Sequence, residues 1–153
     1  MDRSEPLLAA QRATAMFVSP SGEAHNSLRQ IFQTRSNWTL YSASNCEEAV
    51  QVLRRQPIPV VICERGSGNC DWHFLLEKTA TMALPPRVIL ATQEANDGAW
   101  AEVLQRGGYD LLAIPWEPRR VFRVVCLAWR SWTIASRTMP SPANLVTAAI
   151  AGA

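Results

Sequence analysis

Short apolar runs alternate with amphipathic stretches along most of this chain. The most continuous run, residues 58–63, has two prolines at its entrance and is followed by Glu64 and a glycine-containing loop. Such a run is typical of a central parallel strand whose two faces are covered by helices. Similar but shorter runs predict four further strands, at residues 14–18, 38–41, 88–91 and 109–113.

The stretches between these strands have the apolar spacing of amphipathic helices. The first is expected after the turn at 19–22, the second opens with a capping box at Ser44–Glu47, and the third includes Trp72. The fourth is capped by Asn96 or Asp97, and the fifth has Pro118 in its first turn. The last helix is expected to end near Trp132. Five strands that alternate with five helices through short loops predict an α/β fold, a doubly wound parallel sheet with right-handed crossovers.

The composition predicts one globular domain. Apolar residues make up 48% of the 153 residues and charged residues 18%. We expect an N-terminal extension at 1–13, the domain at 14–134 and a C-terminal tail at 135–153. The tail is uncharged from Thr138 onward, and Ser141–Pro142 could start a short docking helix that runs through Ile150.

Charge and hydropathy narrow the expected partners. The net charge of +2 is small and dispersed, which argues against nucleic acid. No apolar run reaches the ~18 residues of a membrane span, so we expect no membrane contact and a cytoplasmic location. A disulfide framework is not expected for the four cysteines, because the chain can bury a core and has no secretory signal.

The order and spacing of these elements resemble the receiver domain of bacterial two-component response regulators, over about residues 14–132. The landmarks are Glu64 after the third strand, Thr92 after the fourth, and the 107–115 stretch, which is similar to the family's approach to its fifth-strand Lys-Pro. The resemblance implies a flavodoxin-like (CheY-like) three-layer sandwich with five parallel strands in the order 2-1-3-4-5.

The resemblance also implies where a phosphorylation site would lie. In that family an Asp after the third strand accepts a phosphoryl group from a histidine kinase, and two acidic residues after the first strand hold Mg²⁺. A Lys after the fifth strand contacts the phosphoryl group, and a Ser or Thr after the fourth senses it. In this sequence Glu64 stands at the position of the acceptor Asp, and Ser19 and Pro20 stand at the positions of the two acidic residues. Ile114 stands at the position of the Lys, and Thr92 at that of the Ser or Thr.

Several of these positions depart from the family's chemistry. Ser19 is neutral, Pro20 has no side-chain oxygen, Ile114 has no charge, and Glu64 is one methylene longer than Asp. Because phosphoryl transfer depends on positioned charge, we expect a degenerate receiver that is not phosphorylated. Such a domain would bind no metal and no other cofactor, would not be an enzyme, and would act through phosphorylation-independent protein–protein interaction.

Other hypotheses remain open at this site. The rival function is a small-ligand-binding or enzymatic domain that uses the crevice near Ser19, Glu64 and Thr92. Glu64 could imitate a permanently phosphorylated acceptor or be an ordinary hydrogen-bonded carboxylate. Thr92 could be a surviving switch or a turn residue. The sequence names neither the partner nor the pathway.

Two further motifs are weaker. Cys63, Cys70, Asp71 and His73 lie close in sequence, but their spacing does not match paired zinc ligands. The glycines at 66 and 68 lack the third glycine of a dinucleotide fingerprint and the lysine of a P-loop. We therefore expect a buried Cys63 and a flexible loop.

An excess of aromatic residues near the end of the chain suggests an interaction surface. The last helix has two apolar stripes, and one must be covered by something other than the sheet. Either a partner covers it (another regulator, a kinase or a second copy, through the fourth helix, fifth strand and fifth helix) or the tail at 145–150 does. The residues expected on this face are Trp100, Trp116, Val121, Val125, Trp129 and Trp132.

Overall fold

The computed structural model describes residues 12–66 and 71–138, which form a three-layer α/β sandwich. Its sheet has five parallel strands in the order β2-β1-β3-β4-β5, which confirms the predicted strand order. The strands are β1 Ala13–Val18, β2 Trp38–Ala43, β3 Val60–Glu64, β4 Arg87–Thr92 and β5 Asp110–Ala113.

A helix follows each strand. The helices are α1 Gly22–Phe32, α2 Cys46–Arg55, α3 Trp72–Ala80, α4 Asp97–Gln105 and α5 Pro118–Thr138. Side chains at the N-caps explain why the first four begin where they do, because each accepts a hydrogen bond from a backbone N–H of the first turn. The caps are Ser21, Asn45, Asp71 and Asn96.

Two apolar layers lie on opposite faces of the sheet. The first, which contains Met16, Val61 and Leu90, is covered by α2, α3 and α4. The second, which contains Phe17 and Ile62, is covered by α1 and α5. The alternation of adjacent residues such as Val61 and Ile62 between the two layers follows from the two-residue period of a strand. It explains why the central strands are apolar throughout.

Several predicted boundaries were wrong. The predicted capping box at Ser44–Glu47 is shifted by one residue: the side chain of Asn45 accepts from the N–H of Glu48, and the Glu48 carboxylate accepts from the N–H of Ser44. The third strand begins at Val60 rather than at residue 58. The last helix continues to Thr138 instead of ending near Trp132, so it crosses the expected start of the tail at 135.

Some predictions fall on residues outside the described part of the chain. These are most of the N-terminal extension, the short helix expected between Ser141 and Ile150, and the loop positions Ser67, Gly68 and Cys70. Cys46 and Cys63 are buried, with their sulfur atoms 4.0 Å apart, and Cys126 is exposed.

Candidate functional site

The parallel register brings the predicted site positions to one edge of the sheet. Val18 pairs with Cys63 and Glu64 pairs with Ala91, so Ser19 after β1, Glu64 at the end of β3 and Thr92 at the end of β4 are neighbours. This edge, at the carboxyl ends of the strands, is where open α/β sheets place their functional groups.

Ser19 and Glu64 form the central contact of this edge. The Ser19 hydroxyl donates to Glu64 Oε2 over 2.5 Å, and Ser19 Oγ accepts from the N–H of Ser21 over 3.0 Å. The backbone N–H of Ser19 donates to the carbonyl of Ala43, so the residue is fixed by both neighbouring segments. Ser19 is 0% exposed and Glu64 is half-buried. A hydroxyl that donates to a carboxylate at this distance makes a short, charge-assisted hydrogen bond.

Thr92 and Ile114 are held by local contacts. The Thr92 hydroxyl accepts from the N–H of Glu94 over 3.1 Å, a local turn contact. The N–H of Ile114 donates to the carbonyl of Thr92. The Ile114 side chain packs on the apolar layer under α1 and α5, and the Ile114–Pro115 peptide bond is cis. Pro20 is exposed.

The sequence analysis missed an aromatic group beside this site. His25 Nε2 lies 2.7 Å from the carbonyl oxygen of Ser19, and the imidazole packs edge-on against Phe17 with centroids 4.8 Å apart. Trp116 packs on the other side of Phe17, with centroids 5.6 Å apart. The position of His25 in the first turn of α1, close to the end of β1, was the available signal.

The donor set at this edge does not fit Mg²⁺. Mg²⁺ is usually held by one or two carboxylates in near-octahedral geometry, with several waters. Of the three positions that correspond to metal ligands, only Glu64 has a carboxylate, and one of its oxygens accepts a hydrogen bond from the Ser19 hydroxyl. Pro20 contributes no side-chain oxygen.

The burial of the site also bears on the ligand-crevice hypothesis. Ser19 is 0% exposed and Thr92 is 4% exposed, so Glu64 is the one partly exposed group of the three. A ligand in this crevice could reach the Glu64 carboxylate but not the two hydroxyls without local rearrangement.

The predicted interaction face is partly wrong. Val121 and Val125 are 1% and 0% exposed and lie in the apolar layer under α5, because they face the sheet. Trp116 and Trp129 are half-buried against the same layer, and Trp132 is half-buried. Trp100 is 48% exposed and is the member of the predicted face that the structure leaves open to solvent.

Neither a metal cluster nor a membrane span is found in the described part of the chain. No group of three or more His, Cys, Asp or Glu side chains is arranged there to hold a metal ion. None of the described helices combines the length and apolar character needed to cross a bilayer.

Comparison with known proteins extends the fold assignment. No protein-family model matches the chain. The chain is 24% identical over 119 residues to the hydrogenase transcriptional regulatory protein HoxA of Cupriavidus necator, a match that covers 77% of this chain and 24% of that protein. The chain therefore spans about a quarter of the length of this curated relative.

Solved structures give the same picture. The signal receiver domain of an HD domain-containing protein from Pseudomonas fluorescens superposes with a TM-score of 0.74 at 19% identity, covering 85% of this chain and 96% of that one. The beryllofluoride-activated NtrC4 receiver domain dimer has a TM-score of 0.69 at 16% identity, covering 78% and 98%. The chain thus has the CheY-like fold of the receiver domains of two-component response regulators.

Proposed function

We propose that this chain is a receiver-like domain of bacterial two-component signalling that acts by binding a protein partner, without phosphoryl transfer. The observation that carries the proposal is the hydrogen bond from Ser19 to Glu64. Where a phosphorylated receiver would concentrate carboxylates around a metal, this chain has one carboxylate among the matching positions, and a neutral hydroxyl donates to it. Such a site lacks the charge that would hold Mg²⁺ beside an incoming phosphoryl group.

The position of the missing cation supports the same proposal. Ile114 has an uncharged side chain that packs on the apolar layer, so this position offers no ammonium to a phosphoryl oxygen. The described contacts also favour an ordinary role for Glu64 over imitation of a phosphorylated acceptor. Its carboxylate is bonded by Ser19, whereas the Thr92 hydroxyl is bonded by Glu94. Thr92 is therefore proposed as a turn residue.

A phosphorylation assay tests the proposal directly. The protein is incubated with acetyl phosphate and Mg²⁺, quenched in acid and measured by intact mass, beside a receiver domain that has the Asp acceptor. We expect the added phosphoryl mass on the control protein alone. A phosphoryl group that appears on this protein and is lost in Glu64→Gln would overturn the proposal.

The surface proposed for a partner is the groove between α4 and β5. Its lining includes Trp100, Leu111 and Arg120, and Leu104 on the same helix is 41% exposed. Exposed large apolar side chains beside a groove are typical of a protein contact. The similarity to a receiver domain solved as a dimer supports a second copy as the partner, and another regulator or a kinase is the alternative.

Light scattering tests this surface. Wild-type protein and Trp100→Ser are compared at matched concentrations, with Trp38→Phe on β2 as a control at the opposite edge of the sheet. If the groove holds a second copy, the wild type has the mass of a dimer and Trp100→Ser that of a monomer. A dimer that survives in Trp100→Ser would exclude this groove.

We place the domain in the cytoplasm, where response regulators act.

A further inference from the structure

The outward face of α5 has an unusual distribution of charge. The helix contributes five of the 15 basic residues of the chain and none of its 13 acidic residues, so the rest of the chain is net negative. All five arginines are exposed. They are Arg119, Arg120, Arg123, Arg130 and Arg137.

Three of these arginines share a line with two exposed apolar side chains. Leu127 is 48% exposed and Ile134 is 60% exposed, and they are seven residues apart. Arg123, Arg130 and Arg137 repeat at the same interval. Residues seven apart lie on one side of a helix, so these five side chains form a stripe about 21 Å long. We call them the α5 stripe.

The cations of the stripe have no acidic partner within the described residues. The contacts of 4.0 Å or less between a basic nitrogen and a carboxylate oxygen that are found there both involve the His73 imidazole on α3. A further cation extends this surface, because the Arg35 guanidinium lies 4.8 Å from the centroid of the Phe122 ring on α5. The stripe thus combines unmatched positive charge with apolar side chains that remain in water.

We propose that the α5 stripe binds an acidic amphipathic helix of a partner protein. Apolar residues of that helix would cover Leu127 and Ile134, and Asp or Glu on its flanks would face the arginines. Heptad-spaced apolar contacts with opposite charges beside them are how two helices pair specifically. This inference rests on the proposed function, the binding of protein partners, and adds a second surface outside the α4–β5 groove together with the chemistry of its occupant.

Charge separates this occupant from three alternatives: a second copy, residues 139–153, and nucleic acid. A second copy placed symmetrically would bring two rows of arginines together, which is unfavourable. Residues 139–153 contain no acidic residue, so they could cover the apolar side chains but would leave the arginines unmatched. Nucleic acid would match the arginines but would bring phosphates against Leu127 and Ile134.

A pair of designed helical peptides tests the inference on the full chain. Both have Leu at the a and d positions of about three heptads. One has Glu at the e and g positions and the other has Gln, so they differ in charge alone. Binding is measured by fluorescence anisotropy at low and high salt, roughly 0.05 M and 0.5 M. We expect the Glu peptide to bind roughly tenfold or more tightly than the Gln peptide at low salt, with the difference reduced at high salt.

Variants locate the binding. Arg123→Glu/Arg130→Glu and Leu127→Ser/Ile134→Ser should each weaken the Glu peptide roughly tenfold or more. The control, Arg54→Glu/Arg55→Glu, reverses two exposed arginines at the end of α2 on the opposite face of the sheet. It should change the affinity by less than about twofold. Circular dichroism confirms that each variant is folded.

Other outcomes would overturn the inference. These are equal binding of the two peptides, an equal loss in the control variant, or binding that appears only after removal of residues 139–153. A dimer that Leu127→Ser/Ile134→Ser dissociates would assign the stripe to a second copy. A DNA duplex that binds through Arg123 and Arg130, independently of Leu127 and Ile134, would assign it to a polyanion. None of these results changes the phosphorylation assay, so failure of this inference is distinguishable from failure of the proposed function.

Discussion

Replacing Ser19 with Asp would restore to this site an acidic residue of the kind that receiver domains use to hold Mg²⁺. Ser19 is 0% exposed and its hydroxyl lies 2.5 Å from Glu64 Oε2, so a carboxylate there must face Glu64. Two unit charges about 4 Å apart interact by ~4 kcal/mol at an effective dielectric constant of about 20. Because Glu64 is partly exposed, solvent screens the pair, and roughly half of this repulsion, ~2 kcal/mol, should remain.

The expected order of unfolding free energies is wild type, then Ser19→Ala, then Ser19→Asp. Ser19→Ala loses a hydrogen bond to a charged group, which costs about 1.5–3 kcal/mol. Ser19→Asp loses that bond and adds the repulsion, about 2 kcal/mol more. Urea unfolding followed by circular dichroism measures all three proteins.

Two controls identify the cause of the difference. In the background of Glu64→Gln, the extra cost of Asp over Ala at position 19 should disappear, since the repulsion needs both carboxylates. Millimolar Mg²⁺ should stabilise Ser19→Asp and leave the wild type unchanged, because paired carboxylates are a ligand set for this ion. The reasoning is refuted if Ser19→Asp and Ser19→Ala are equally stable and neither responds to Mg²⁺.

Two further predictions concern the scaffold. A Cβ at Gly108 would lie 2.5 Å from Val103 Cγ1, so Gly108→Ala should lower the free energy of unfolding in urea by about 1–3 kcal/mol. The control is Gly22→Ala, where a Cβ would have no atom within 4 Å and the free energy of unfolding should change by less than about 1 kcal/mol. Equal effects of the two substitutions would contradict the close packing at Gly108. Desolvation by its neighbours raises the pKa of the Cys126 thiol, although Arg35 and Arg130 oppose this. The alkylation of Cys126 by iodoacetamide, measured by peptide mass spectrometry, should therefore be slower than that of free cysteine at mildly alkaline pH and should become faster as the pH rises. It should be slower still in Arg130→Met, because that variant lacks a cation that lowers the pKa of the thiol.

The central strands could be predicted because β3 and β4 are apolar on both faces, a pattern typical of a covered parallel sheet, and the strand order followed from the resemblance to receiver domains. Cap positions were less predictable. Ser44 and Asn45 are both good caps with a Glu three residues later, so the choice between them depends on how β2 leads into the helix.

The outer surface could not be predicted, because it depends on packing between elements distant in sequence. The second apolar stripe of α5 was expected to need a partner or the tail. In the structure α1 supplies part of its cover: Phe122 packs against Phe32, with ring centroids 5.4 Å apart. Likewise, the resemblance to receiver domains placed Ser19 and Glu64 at one site, but did not predict that a hydrogen bond would join these residues, which are 45 positions apart. The α5 stripe lies on a third side of the helix, which the sequence analysis did not consider because it followed only the two apolar stripes.

On the proposed function, the departures at the strand ends belong together physically. A cluster of carboxylates costs stability whenever no metal is bound, because like charges repel in a partly buried site. A lysine beside that cluster is useful only while there is negative charge for it to face. Once Ser19 replaces a carboxylate, Glu64 gains a neutral donor, and the position after β5 is better filled by Ile114, which packs on the core. The site then stabilises the apo fold without a ligand, as expected of a domain whose activity is located on its outer helices rather than in its crevice.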